Sequence, residues 1–118
     1  MAVYVDNVQI KWQGAIWCHL VADTLDELHQ FAALLGLKRE WFQESASYPH
    51  YDIILEQRDR ALLMGAILGT RRQMITAAKK LKYEWEATYQ KPWPPLKTKR
   101  KRRVTTKKAT TDKINSRG

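Results

Sequence analysis

Short alternating stretches in the first part of the chain give way to two long helical stripes. Val3 and Val5 share one side of an extended Ala2–Val5 segment with Tyr4 on the other, and Val8, Ile10 and Trp12 alternate with Gln9, Lys11 and Gln13. Gln13-Gly14 predicts a turn. Ala15–Ala22 is apolar except for His19, the pattern of a central strand buried on both faces. Asp23-Thr24 closes that strand, and Thr24-Leu25-Asp26-Glu27 has the form of a capping box. Leu28, Phe31, Ala32 and Leu35 then fall on one helical stripe, with His29 at its edge and Gly36 supplying the left-handed residue that ends the helix.

The second half repeats this plan. Pro49 biases Tyr48 toward an extended backbone, so His50-Tyr51-Asp52-Ile53-Ile54-Leu55 reads as a strand with a polar leading edge. Glu56–Met64 predicts a short helix ended by Gly65, and Ala66–Leu68 a brief extended piece. Thr70-Arg71-Arg72-Gln73 opens a longer helix to about Tyr89, striped by Met74, Ala77, Ala78, Leu81, Trp85 and Tyr89. The expected architecture is a small α/β domain over residues 1–90, with three to four short strands packed against three helices. Pro92, Pro94 and Pro95 make residues 91–96 a stiff linker, and residues 97–118 a basic tail too polar to pack and disordered when free. Ala61, Gly65 and Leu68 also fit a helix-turn-helix with Arg71 and Arg72 opening its recognition helix, except that Arg71 lands where that motif needs an apolar anchor.

Length and cysteine usage narrow the class. A chain of 118 residues holds one domain with a self-sufficient core. A single cysteine, Cys18, excludes an internal disulfide and, set in an apolar run, reads as a small buried hydrophobe. The opening Met1–Asp6 lacks a basic, apolar leader, and no apolar run reaches a spanning length of about 18 residues. The expectation is a cytoplasmic protein without a membrane partner, in the bacterial host cell if phage-encoded.

Charge changes the picture more. Residues 1–90 hold 10 Lys+Arg and 11 Asp+Glu, a net −1, whereas residues 91–118 hold 11 against one acid, a net +10. Lys97, Lys99, Arg100, Lys101, Arg102 and Arg103 fall within seven positions, and Lys107 and Lys108 follow. Such a segment binds DNA or RNA through the phosphate backbone, by counterion release and with steep salt dependence. No apolar face or lipidation motif accompanies it to favour a membrane surface.

In the body, His19, His29, His50 and Asp52 are the candidate catalytic residues. His19 and Asp23 point the same way on a strand, and Asp6 joins them if the first strand lies alongside. Asp6, Asp23 and Asp52 would suit Mg²⁺ or Mn²⁺, and two histidines with one acid would suit Zn²⁺ or Fe²⁺, so a divalent metal is the candidate cofactor. The plainer reading makes the histidines packing residues and Asp23 a pre-cap acid favoured by the helix dipole. Arg58, Arg71 and Arg72 are phosphate-contact candidates, set against an ordinary solvated face.

Taken together, Met1-Ala2-Val3-Tyr4-Val5-Asp6, Cys18-His19-Leu20-Val21-Ala22-Asp23, Leu28-His29, Trp41-Phe42-Gln43, His50-Tyr51-Asp52-Ile53 and Gly65-Ala66 resemble a small family of bacteria and tailed phages, a domain of unknown function. The resemblance covers residues 1–78. It implies a phage or bacterial origin, and that His19, Asp23, His29, His50, Tyr51 and Asp52 belong to the family pattern. Separately, Val3-Tyr4-Val5-Asp6-Asn7 is similar to the opening strand of PIN-like and NYN nucleases. The expected function is a nucleic-acid-associated accessory protein whose basic arm grips phosphates. The alternatives are a metal-dependent phosphodiesterase, nuclease or nucleotide hydrolase using the His/Asp pocket, and a protein-binding inhibitor of a host enzyme.

Overall fold

β3 (Ala15–Ala22) organises the sheet, as its apolar run predicts. In the computed structural model, which describes residues 2–44 and 46–95, three strands pair with it antiparallel. These are β1 (Val3–Val5), β2 (Ile10–Trp12) and β4 (Tyr51–Ile54). Leu20 faces both Val5 and Tyr51, and Trp17 faces both Ile10 and Ile54. A strand has only two edges, so β1 and β2 are two pieces of one broken strand along the first edge, and β4 takes the second. Gln13 and Gly14, both at positive φ, make the tight turn between β2 and β3. The brief extended piece is a fifth strand, β5 (Ile67–Leu68), parallel to β1 on its outer side.

Parallel pairing brings the ends of β1 and β5 together, where the Gly69 N–H donates to the Val5 carbonyl at 2.8 Å. From there the chain enters α3 (Arg71–Tyr89), capped in both directions by Thr70 and Gln73. Because residues 67–68 lie in the sheet and Leu68 is exposed, the helix-turn-helix expectation is overturned. Helix α1 (Leu25–Leu34) begins at Thr24, whose Oγ1 accepts the Glu27 N–H at 3.1 Å, and ends before Gly36 at φ +85°. Only half of that expected capping box forms. The next backbone donor, the Leu25 N–H, is satisfied by Glu84 Oε1 on α3 at 2.8 Å, so one helix caps another across the fold. Helix α2 (Leu55–Leu63) starts one residue earlier than expected, where Gln57 Oε1 accepts the Ile54 N–H.

Val5, Cys18, Leu20, Leu28, Ile53 and Leu81 are fully buried, the five aliphatic side chains each contributing roughly 1.5–3 kcal/mol by leaving water. All three residues of β2, Trp12 included, are exposed, because the helices pack on β1, β3 and β4 and leave this hairpin tip uncovered. The expectation of burial on both faces therefore holds only for the second half of β3. Beyond α3 the proline-flanked Trp93 folds back onto the body. Its indole is 6% exposed, stands edge-on to Trp85 with centroids 5.0 Å apart, and donates Nε1–H to the Ala46 carbonyl at 2.8 Å. The basic residues Lys97, Lys99, Arg100, Lys101, Arg102, Arg103, Lys107 and Lys108, and the disorder expected of them, lie outside the described residues.

Candidate metal centre

Antiparallel register decides which side chains meet. In the β3–β4 ladder His19 faces Asp52, and the strand's period of two puts His50 on the same side as Asp52. A single bridge from Gln43 to His50 steers the start of β4. On the other edge β1 ends so that Asp6 meets His19: Asp6 Oδ1 accepts the His19 backbone N–H at 2.9 Å, and Oδ2 lies 2.7 Å from Nδ1. The Arg58 guanidinium donates to Asn7 Oδ1 at 2.8 Å and so pins the turn that carries Asp6.

His19, His50 and Asp52 each offer a ligand atom, and these atoms lie within 4.8 Å of one another. Behind them, each histidine has its Nδ1 occupied, on the Asp6 carboxylate for His19 and on the Tyr48 carbonyl at 2.9 Å for His50. Both partners accept a hydrogen bond from Nδ1–H, so each Nδ1 keeps a proton and each Nε2 is turned toward Asp52. The consequence is clearest at His50, whose Nε2 lies 3.0 Å from Asp52 Oδ1. A neutral ring donating through Nδ1 would meet the carboxylate there acceptor against acceptor. The pair requires a positive centre between them, a proton or a metal ion. His19 Nε2 adds a second lone pair 4.0 Å from the same oxygen.

Electrostatics agree with this geometry. The Asp6 hydrogen bond, reinforced by the charges of Asp6 and Asp52, holds the His19 pKa above its ordinary value against the opposing effect of burial. The hydrogen bond from His50, with the charges of His50 and His19, holds Asp52 below the usual carboxylate range, again against burial. With neutral rings, Asp6 and Asp52 leave the cluster doubly negative.

The histidines open into a cleft of about 650 Å³ whose far wall is Arg71, Met74 and Ile75 at the start of α3. Arg71 is thus the one phosphate-contact candidate of the three that lines this space. Arg58 is spent on Asn7, and Arg72 is exposed on α3. Asp23 does not join the cluster. It lies four residues along the strand from His19, about 13 Å away, and is held by the Ala2 N–H and Lys80. His29 is also elsewhere, because its partner Tyr51 points to the opposite face from Asp52. Cys18 is inert: burial, then the Asp6 charge, pushes its thiol up to about 11. The role of the Tyr48 carbonyl was not read from the sequence, although Pro49 holding Tyr48 extended beside His50 was its available signal.

His29 carries a testable signature of its own. Burial, then the nearby Arg39, lowers its pKa to about 4 against a weaker pull from Asp26. The unfolded chain binds this proton more readily, so the contribution is complete above pH 6.5 and is lost as pH falls through 4. Allowing for solvent screening of a partly exposed ring, the loss is about 1–2 kcal/mol. Thermal unfolding across this range should fall more steeply for the wild type than for His29→Gln; parallel curves would show that His29 is not held neutral.

The model of the family described as "Protein of unknown function (DUF4031)" matches residues 3–81, and the chain belongs to that family. The matched span includes Asp6, His19, His50, Asp52 and Arg71, and stops short of Trp93 and the basic segment. No curated protein and no solved structure matches the chain.

Proposed function

We propose that this protein is a nucleic-acid-associated phosphodiesterase of phage or bacterial type, dependent on a divalent ion held by His19, His50 and Asp52. The observation that carries this reading is the convergence of two Nε2 atoms on one carboxylate, with both Nδ1 atoms engaged behind them. Two imidazoles and one carboxylate select Zn²⁺, Mn²⁺ or Fe²⁺ over Mg²⁺ and leave coordination positions open. When bound, the ion supplies Lewis acidity toward a phosphoryl oxygen and lowers the pKa of water. Asp6 orients His19 and is not itself a ligand, and Arg71 on the far wall of the cleft contacts a substrate phosphate.

The net +10 of residues 91–118 supports nucleic acid as the substrate class and supplies affinity without sequence preference. It favours a second reading as well, an accessory protein that binds nucleic acid without turnover. Calorimetric titration of the full chain with Zn²⁺, Mn²⁺ and Mg²⁺, beside His50→Ala, separates them. One Zn²⁺ or Mn²⁺ site per chain, lost in the variant, with metal-dependent cleavage of labelled oligonucleotides, supports the first. Nucleic-acid binding without ion binding leaves the second.

The basic segment is tested independently. Replacing Lys97, Lys99, Arg100, Lys101, Arg102 and Arg103 with Gln should flatten the plot of log affinity against log salt by roughly 4 to 5, from about 0.7–0.9 per phosphate contact. An unchanged slope would remove that segment from the interface.

A further inference from the structure

A second cleft, about 770 Å³, lies along the uncovered hairpin and shares Asp52 with the proposed centre. Trp12, Trp17 and Trp41 line it, with Trp12 59% and Trp41 47% exposed. Trp17 is fixed from behind: its Nε1–H donates to the Trp12 carbonyl at 3.0 Å, and the two indoles meet edge to face. Lys38 sits over the Trp41 ring, 5.6 Å from its centroid. Indoles left in water at the rim of a pocket of this size mark a binding surface, and the volume is that of a small-molecule or nucleotide site.

We infer that this groove is the base-binding subsite of the proposed centre, taking unpaired nucleobases of a single-stranded nucleic acid whose phosphate lies at His19, His50 and Asp52. The inference rests on the phosphodiesterase reading for the position of the phosphate. Two observations orient the substrate. Because Asp52 lines the groove and the two histidines line the Arg71 cleft, the centre stands at the junction of an aromatic groove and a cleft that carries one arginine. Glu40 among the groove's lining residues repels phosphate, and it and Gln43 can accept and exchange hydrogen bonds with the amino and imino edges of bases. The phosphate is thereby directed to the Arg71 side and the base to the tryptophans. Stacking on indole faces needs bases free of a duplex and tolerates every sequence.

The full chain should bind a single-stranded dT 12-mer at least 10-fold more tightly than an abasic deoxyribose-phosphate 12-mer of equal charge. Affinity contributed by the basic segment is common to both oligomers and cancels in the ratio. Trp12→Ala with Trp41→Ala should bring that ratio close to one while leaving Zn²⁺ or Mn²⁺ binding unchanged; both side chains are exposed, so folding is spared. His50→Ala should do the reverse, losing the ion and keeping the ratio, which separates failure of the centre from failure of the groove. Equal affinity of the wild type for both oligomers, or an unchanged ratio in the double variant, overturns the inference. So does binding of an oligolysine peptide that the two substitutions weaken, which would assign the acid-rimmed groove to a cationic protein segment.

Discussion

If the His/Asp cluster holds an ion, Asp52→Asn should lower Zn²⁺ or Mn²⁺ affinity by at least about 100-fold and abolish any metal-dependent oligonucleotide cleavage, while the fold stays intact. The amide matches the carboxylate in volume and Asp52 is partly exposed on β4, so packing is preserved. What is lost is the negative charge on which two Nε2 atoms converge. The new NH₂ also donates to His50 Nε2, satisfying that nitrogen without an ion. Asp6→Asn is the informative companion. Asp6 only orients His19, so its loss should cost about 10–100-fold in metal affinity, the range for carboxylates behind a ligating histidine. Calorimetry on the two variants gives the order Asp52→Asn worse than Asp6→Asn. The reverse order would make Asp6 the ligand, and no effect from either would return the cluster to packing.

Trp93→Ala destabilises the protein by about 3–5 kcal/mol, the range for deleting a buried large aromatic. The indole closes the gap between Trp85 and Phe42 and satisfies the Ala46 carbonyl, which the truncation strands. At about 4–8 °C per kcal/mol in a domain of 60–100 residues, the melting temperature should fall by more than 10 °C. Trp93→Phe should recover much of the packing but not the hydrogen bond. A loss under about 1 kcal/mol in the alanine variant would mean that residues 91–95 rest on the surface without stabilising it. Trp93 lies beyond the segment that the family model matches, so this chain draws on residues outside residues 3–81 to hold its body together.

Helices α1 and α3 were legible because their signals are local: Thr24 and Gly36 bracket one stripe, and Thr70 with Gln73 opens the other. Strand faces were legible too, since alternation alone puts His50 with Asp52 and His19 with Asp23. Alternation does not say which neighbour lies across the ladder. Antiparallel pairing brought Asp6 to His19 and left Asp23 at the far end, and it placed His29 behind the sheet with Tyr51. The exposure of β2 depends on where helices from later in the chain come to rest, which no window around Ile10–Trp12 contains. Residues 61–71 misled for a related reason, because a two-residue strand is too short to show a period and its pairing with β1 is non-local. Trp93 sits among prolines that suggest a spacer, and only the tertiary contacts of α3 and residue 46 show where it docks.

The pleat ties the chemistry to a choice the chain makes once. Sliding β4 along β3 by one residue would expose Tyr51 and Ile53, now fully buried, and drive His50 and Asp52 into the core. The ligand set therefore exists in one pairing and vanishes in its neighbours, with no half-formed version between. If an ion binds there, it would act as a proofreader of strand assembly, holding the correct pairing by about 2.7 kcal/mol at a hundredfold excess over its dissociation constant and giving nothing to a slipped one.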